Sequence, residues 1–431
     1  DDARPDAVVQ AASAQDVAAV VRWANRFDVN VVARSGGHSY AGYSTTGNGV
    51  VVDLSRMNGV RVAGGRATVG AGTQLIDMYS VLARRGLTVP GGSCPSVGIG
   101  GLALGGGHGL AGRRWGLTAD NIRALTIVTA DGRVRQVTAD SNEDLFWACR
   151  GGGGGNFGIV TSLAQQTHRT RGASWFVASF PWSQASEALA AWQAFAPDAP
   201  DALTSIFSLG TSGGSGPPRV TALGQYFGSP AKLRRLLRPL ARVSGASVSV
   251  GSSTYMSLVL RWAGCLDDGL RACHTTGTSP GGTMPRASFY AKSDFFDRPL
   301  SARARARMVS WIERRQRGGG SGALLLDAYG GAYNRPAADA TAFVHRDMLF
   351  SLQYLAYYSG GGGGAANAWV GGVWRALRAA ASGQAYQNYI DPQLTGWQRA
   401  YYAGNLPRLR AVKKQVDPDF RFRFRQAIPP A

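Results

Sequence analysis

Cysteine and histidine are scarce, with four and five in 431 residues. His274 is the one imidazole near Cys265 and Cys273, and no second ligand pair accompanies it, so no structural metal is expected. No apolar run approaches the roughly 18 residues of a membrane-spanning helix. No repeat of solenoid period is visible. The opening Asp1-Asp2-Ala3-Arg4-Pro5 holds no apolar signal core, as expected if a leader has been removed or the numbering begins inside a precursor. A dinucleotide fingerprint is missing in context. Gly105-Gly106-Gly107 and the run Gly151 to Gly155 are glycine-rich. Neither opens a clear strand–helix unit with an acidic residue about 20 positions on.

Acidic residues are also few. Forty-six Lys and Arg against 26 Asp and Glu give a net charge of +20. That balance suits an acidic partner, and it equally suits a solvated arginine-rich surface. No recognition helix, zinc finger or aromatic RNA-binding strand accompanies the charge, so neither nucleic acid nor membrane is expected as a partner. Lys232 to Arg238 reads as an amphipathic helix with its charges in water. Cys149, beside Phe146-Trp147-Ala148, reads as a buried small hydrophobe. Cys265 and Cys273 can close a disulfide loop, which would fit secretion.

The chain is too long for one ordinary domain and long enough for two. Ala14 to Phe27 has helical spacing with Ser13 as cap, and Gln74 to Arg85 a helix ending at Gly86. Asn30 to Ala33, Gly49 to Leu54, Arg66 to Gly70 and Ile122 to Thr129 read as strands. Asp131-Gly132 is the turn before another, Arg133 to Thr138. Beyond Gln166 come strands such as Ala173 to Phe180, Val220 to Phe227, Ala323 to Tyr329 and Leu349 to Tyr358. Helices such as Ser183 to Phe195 alternate with them. Breaks at Pro197 to Pro200 and Gly210 to Pro218 read as exposed loops. Ala400 to Gln415 reads as one helix with Arg408, Arg410, Lys413 and Lys414 on its wet side. The fold class is α+β.

Two segments carry the chemistry. Arg34-Ser35-Gly36-Gly37-His38-Ser39-Tyr40 places an imidazole in a glycine turn. Gly91-Gly92-Ser93-Cys94-Pro95-Ser96-Val97-Gly98-Ile99-Gly100-Gly101 does the same for a thiol. Both are nucleophiles where backbone can approach a flat ring closely. Together with Val50 to Ser55, Gly116 to Asn121, Asp144 to Arg150, Tyr386 to Asp391 and Gln426 to Pro429, they resemble the berberine bridge enzyme branch of the vanillyl-alcohol oxidase superfamily. The resemblance runs from about Arg4 to Pro430.

The resemblance implies a two-domain PCMH-type FAD-binding fold. Residues 1–167 bind FAD, 168–380 form an antiparallel-sheet substrate domain backed by helices, and 381–431 return to the FAD domain. It implies FAD covalently bound through His38, at the 8α-methyl carbon, and Cys94, at ring carbon 6. Arg34, Ser35, Gly36, Gly37, Ser39, Gly98, Gly101, Gly158 and Asn388 complete the cofactor site. Tyr389 aligns with the catalytic tyrosine, and Tyr386 is the next choice. A phenol near its ordinary pKa of ~10 is a poor base at neutral pH, and the strand Phe350 to Leu355 holds no carboxylate to assist it. Lys292, Arg286 and the cofactor are the substitutes. Ser351, Gln353 and Leu355 share one strand face, which in the resembled family looks into the substrate site, so the resemblance implies Gln353 and Ser351, with Tyr329, as substrate-binding residues. Tyr40, Tyr43, Trp115 and Tyr290 are further candidates for stacking. His108 is expected in a structural role, and Ile99 as an oxygen gate. The implied activity is oxidation of a mono- or oligosaccharide alcohol or hemiacetal with O2 reduced to H2O2. The alternative is secondary-metabolite tailoring on a bulky, glycosylated substrate. A secreted monomer is expected.

Overall fold

The computed structural model describes residues 3–214, 216–279 and 281–431. At the amino end the elements form close to where local sequence predicts them. Helix α1 (Ala14–Phe27) starts where Ser13 accepts from the Asp16 N–H and Asp16 accepts in turn from the Ser13 N–H, a reciprocal cap. Strands β1 (Ala7–Gln10), β2 (Val31–Arg34) and β3 (Val50–Asp53) form a small parallel sheet in the order β1-β3-β2. Strands β4 (Val60–Ala63), β5 (Arg66–Gly70), β6 (Ile122–Val128), β7 (Val134–Thr138) and β8 (Ile159–Gln166) pair antiparallel in the order β4-β5-β8-β6-β7.

A seven-stranded antiparallel sheet follows. Its strands are β9 (Gly172–Phe180), β10 (Leu203–Thr211), β11 (Arg219–Tyr226), β12 (Ser247–Thr254), β13 (Ser288–Phe296), β14 (Gly322–Ala328) and β15 (Phe350–Tyr358). The order is β12-β9-β11-β10-β14-β15-β13. Strands alternate their side chains between faces. One face, with Phe207, Leu326, Leu352 and Tyr354, is buried with residues of helices 185–195, 302–317 and 363–377. The other face looks toward the amino-terminal half.

The two halves are tied by Arg113, which is buried. Its guanidinium donates to the carbonyls of Pro197, Ala199, Leu203 and Tyr329. The break at Pro197 to Pro200 is therefore no exposed loop throughout: Pro197 and Ala199 are buried around that cation. In the loop expected over 210–218, the strand runs to Thr211 and residue 215 lies outside the described residues. Cys265 and Cys273 are disulfide-bonded, and Cys149 is buried, both as expected.

The carboxy-terminal helix differs from expectation. It is two helices, Trp397–Tyr402 and Leu406–Val416, because Ala403 takes φ 40° and Pro407 opens the second. Lys413 is not on its wet side. It is fully buried, paired with Asp417 at 2.6 Å, and donates to the carbonyls of Asn156 and Phe422. A local charge pattern places a lysine on a helix face but does not reveal that the tail folds back over it.

Candidate active site

A cavity of about 400 Å³ lies between the amino-terminal loops and the open face of the large sheet. Its first wall is the pair of glycine-rich segments. They clasp tightly: a Cβ at Gly36 would lie 2.2 Å from the Gly98 nitrogen, and one at Gly98 would lie 2.0 Å from Ser35 Oγ. Only glycine permits that approach. Ser35, Gly36, Gly37, Ser39, Gly98, Gly101, Gly158 and Asn388 all line the cavity. Ser35 Oγ donates to the Ala71 carbonyl at 2.5 Å. Arg34 does not line it. Its guanidinium is bound to Asp53 at 2.7 Å, so it braces the loop from behind.

His38 and Cys94 both reach this wall, where their surfaces are accessible from the cavity although protein encloses them on most sides. His38 Nε2 lies 3.0 Å from Ser96 Oγ. Burial, with the positive charge of Arg286 adding, holds the imidazole below its ordinary value, so it is neutral near pH 7. Burial and the negative charge of Asp327 push the Cys94 thiol up.

The second wall comes from the sheet and the carboxy-terminal segment. Asp327 of β14 and Gln353 of β15 line it, with Tyr389, Tyr40 and His108. Tyr389 stacks on Tyr40 with ring centroids 5.4 Å apart. Gln353 Nε2 donates to the Tyr40 hydroxyl at 2.9 Å. His108 Nδ1 lies 3.9 Å from Asp327 Oδ1, and burial lowers His108, so the two are not an ion pair near neutral pH. Burial raises Asp327 above the ordinary carboxylate range, an effect that His108 opposes. Burial also raises the Tyr389 phenol well above its ordinary value, with Tyr40 and Asp327 adding to the effect.

Several expected residues lie elsewhere. Tyr386 is buried behind the wall, where its hydroxyl accepts from Gly107 N–H and from Asn388 Nδ2, both at 2.8 Å. It holds Asn388 rather than facing the cavity. Tyr329 sits in a closed aromatic cluster with Phe295, Tyr333 and Tyr386 and does not line the cavity. Ser351 is buried opposite Asp327, also outside the lining. Trp115 stacks on His168, and Tyr290 on Tyr358. Lys292 is engaged by Asp391 at 2.5 Å, Arg286 is exposed, and neither lines the cavity. Ile99 is fully buried in the core, whereas Val97 borders the cavity.

Asp327 is the residue that the sequence reading missed. Its signal is a single carboxylate within the apolar strand Gly322–Ala328. Aspartate is rarely buried in such a run without a task. The carboxylate stands not on β15, where an assisting group was expected, but one strand over, opposite Ser351.

Comparison with known proteins agrees with this geometry. Residues 5–138 match the FAD binding domain family, and residues 385–429 match the berberine and berberine-like family. An uncharacterized FAD-linked oxidoreductase of Bacillus subtilis, YgaK, is 35% identical over 99% of this chain and 91% of its own length. The chitooligosaccharide oxidase of Gibberella zeae is 31% identical over 99% of this chain and 87% of its own. The structure of a xylooligosaccharide oxidase from Myceliophthora thermophila in complex with xylobiose superposes with a TM-score of 0.87 at 28% identity, covering 98% of this chain and 91% of that one. With a two-module fold, a glycine-clasped cavity and full-length likeness to these proteins, the chain belongs to the berberine bridge enzyme-like family of FAD-linked oxidoreductases.

Proposed function

We propose that this protein oxidises an alcohol or hemiacetal carbon of a carbohydrate, carrying its FAD on His38 and Cys94. The observation that supports this most is one shared cavity, with two nucleophiles on one wall and Tyr389, Asp327 and Gln353 on the other. The residues fit the cofactor. A Cβ added at Gly101 meets no protein atom within 4 Å, so that glycine opens onto free space that a ligand can fill. Neutral His38 has a lone pair available for the 8α-methyl carbon, and Cys94 is accessible for ring carbon 6. The loop N–H groups of residues 35–39 suit a diphosphate, whereas those of Ile99 and Gly100 are spent on the Thr73 and Ala71 carbonyls.

FAD bound there supplies the hydride acceptor and, on reoxidation, the electrons that turn O2 into hydrogen peroxide. The protein supplies the seat and the path of the proton. Tyr389 is neutral, so it takes the substrate hydroxyl proton only as it hands on its own. Asp327 is the carboxylate in that wall able to receive it. Gln353 and Tyr40, already hydrogen-bonded to each other, would orient sugar hydroxyls. Val97, not Ile99, stands where oxygen access would be set. The disulfide supports an extracellular enzyme, and we read it as a monomer. The names of the two saccharide oxidases favour a mono- or oligosaccharide over a tailoring substrate.

An anaerobic screen of mono- and oligosaccharides tests this reading. A saccharide should bleach the flavin, and admitted air should restore the colour with release of peroxide. Bleaching by a natural-product alcohol and by no saccharide would move the activity to tailoring.

A further inference from the structure

Beyond Gln353, which lines the cavity, the open face of the sheet continues. On the open face of the sheet, cross-strand partners form rows that step away from the reacting residues. The first row is Ser293, Gln353 and Leu325; the next is Ala291, Leu355 and Ala323. Phe289 and Tyr357, paired with each other, form the third. The middle row is low: Ala291 and Ala323 are small and half-exposed, and Leu355 between them is buried. The outer row is tall and aromatic. Phe289 packs edge-on against Tyr40 at 4.8 Å and against Tyr357 at 5.9 Å. Ring contacts thus run unbroken from Tyr389, through Tyr40 and Phe289, to Tyr357.

Tyr357 is 43% exposed, among the few large hydrophobic side chains left in water. An exposed aromatic on a strand is ordinary when it stands alone. This one is continuous with the active-site wall and lies across a small-residue floor from it. Four residues of strand separate it from Gln353, about 13 Å of rise. That span exceeds a single sugar ring. An aromatic face with a hydroxyl at its edge suits a pyranose, whose C–H face is apolar and whose rim is polar.

Resting on the reading of the site as a carbohydrate oxidase, we infer that Phe289 and Tyr357 form an outer glycosyl subsite. The reacting sugar sits at Tyr389 and Asp327, the floor of Ala291, Leu355 and Ala323 passes beneath the chain, and a further sugar ring lies on Tyr357. The preferred substrate is therefore an oligosaccharide rather than a monosaccharide.

The test compares kcat/KM for a monosaccharide with that for its di-, tri- and tetrasaccharide, in wild type, Tyr357→Thr and Tyr357→Phe. Threonine suits an exposed strand position, so the variant should fold, and a retained flavin spectrum checks that it does. Tyr357→Thr should lower the ratio of oligosaccharide to monosaccharide kcat/KM by roughly two- to tenfold, the worth of one aromatic contact. Tyr357→Phe should restore the ratio. A ratio that Tyr357→Thr leaves unchanged, while wild type oxidises saccharides of every length, would overturn the subsite and leave the carbohydrate reading standing. A wild type that oxidises no saccharide of any length would overturn both.

Discussion

Tyr389 lies flat against Tyr40, with ring planes 3° from parallel. His108 and Tyr386 meet Tyr389 edge-on at 5.7 and 5.0 Å. The phenol is therefore clamped by rings on more than one side. That enclosure orients it, and burial of the ring disfavours the phenolate. In the proposed mechanism the surrounding rings orient Tyr389, and Asp327 receives the proton that Tyr389 hands on.

Tyr389→Phe removes one oxygen and leaves the stacked ring in place. Folding and flavin content should be retained. Flavin reduction, followed anaerobically with a true substrate, should slow by roughly 10²–10⁴-fold if Tyr389 carries the proton. Substrate affinity should move much less, since the loss falls in the transition state. Reduction within a few-fold of wild type would remove Tyr389 from the mechanism.

Asp327 should write itself into the pH profile. Its raised pKa means that the carboxylate protonates at a pH above the ordinary carboxylate range. The ionised form is the one that accepts a proton. Wild-type flavin reduction should therefore fall as pH drops through that raised value and level off above it. Asp327→Asn should be slower throughout and lose this acid limb. A variant that keeps the limb would assign the titration to another group.

Covalent attachment shows itself as retained colour. Acid-precipitated wild type should stay yellow. His38→Ala and Cys94→Ala should each keep some colour through the remaining bond, and the double variant should release all its FAD. Free FAD in the supernatant of the denatured wild type would overturn attachment at both positions.

Val97 and Ile99 should separate oxygen chemistry from packing. Val97→Leu adds bulk at the cavity and should slow reoxidation of the reduced flavin in air. Ile99→Val changes a fully buried core side chain. It should cost about 0.5–1.5 kcal/mol in denaturant unfolding and leave reoxidation unaltered. The opposite pattern would return the oxygen path to Ile99.

Lys413 and Asp417 are both fully buried. Lys413→Met strands a buried carboxylate and should cost about 3–5 kcal/mol. Lys413→Met with Asp417→Leu should recover part of that loss. Equal stability of the single variant and wild type in urea would show that the tail packs without the pair.

Residues that act through their own neighbours in the chain are legible in the sequence itself. Ser13 with Asp16 announces the start of helix α1, and Asp131-Gly132 the turn between β6 and β7. Glycines around His38 and Cys94 mark segments that only close backbone approach explains, and they do line one cavity. Periodicity also finds the strand that carries Gln353. What it cannot supply is what stands opposite. Asp327 matters because β14 pairs with β15 and aims its carboxylate at the same cavity as Tyr389, from far along the chain. Tyr329 and Tyr386 read like site residues but face inward, and Ile99 gives way to Val97 because Ile99, the first residue of a short helix, packs into the core, whereas Val97 in the preceding loop borders the cavity. Lys413 has the spacing of a solvated residue, yet the tail closes over it. Sequence determined the local conformations and the reactive groups, because those depend on near neighbours. Tertiary structure alone decided which groups share a cavity, because that depends on contacts between segments whose spacing along the chain carries no record of their distance in space.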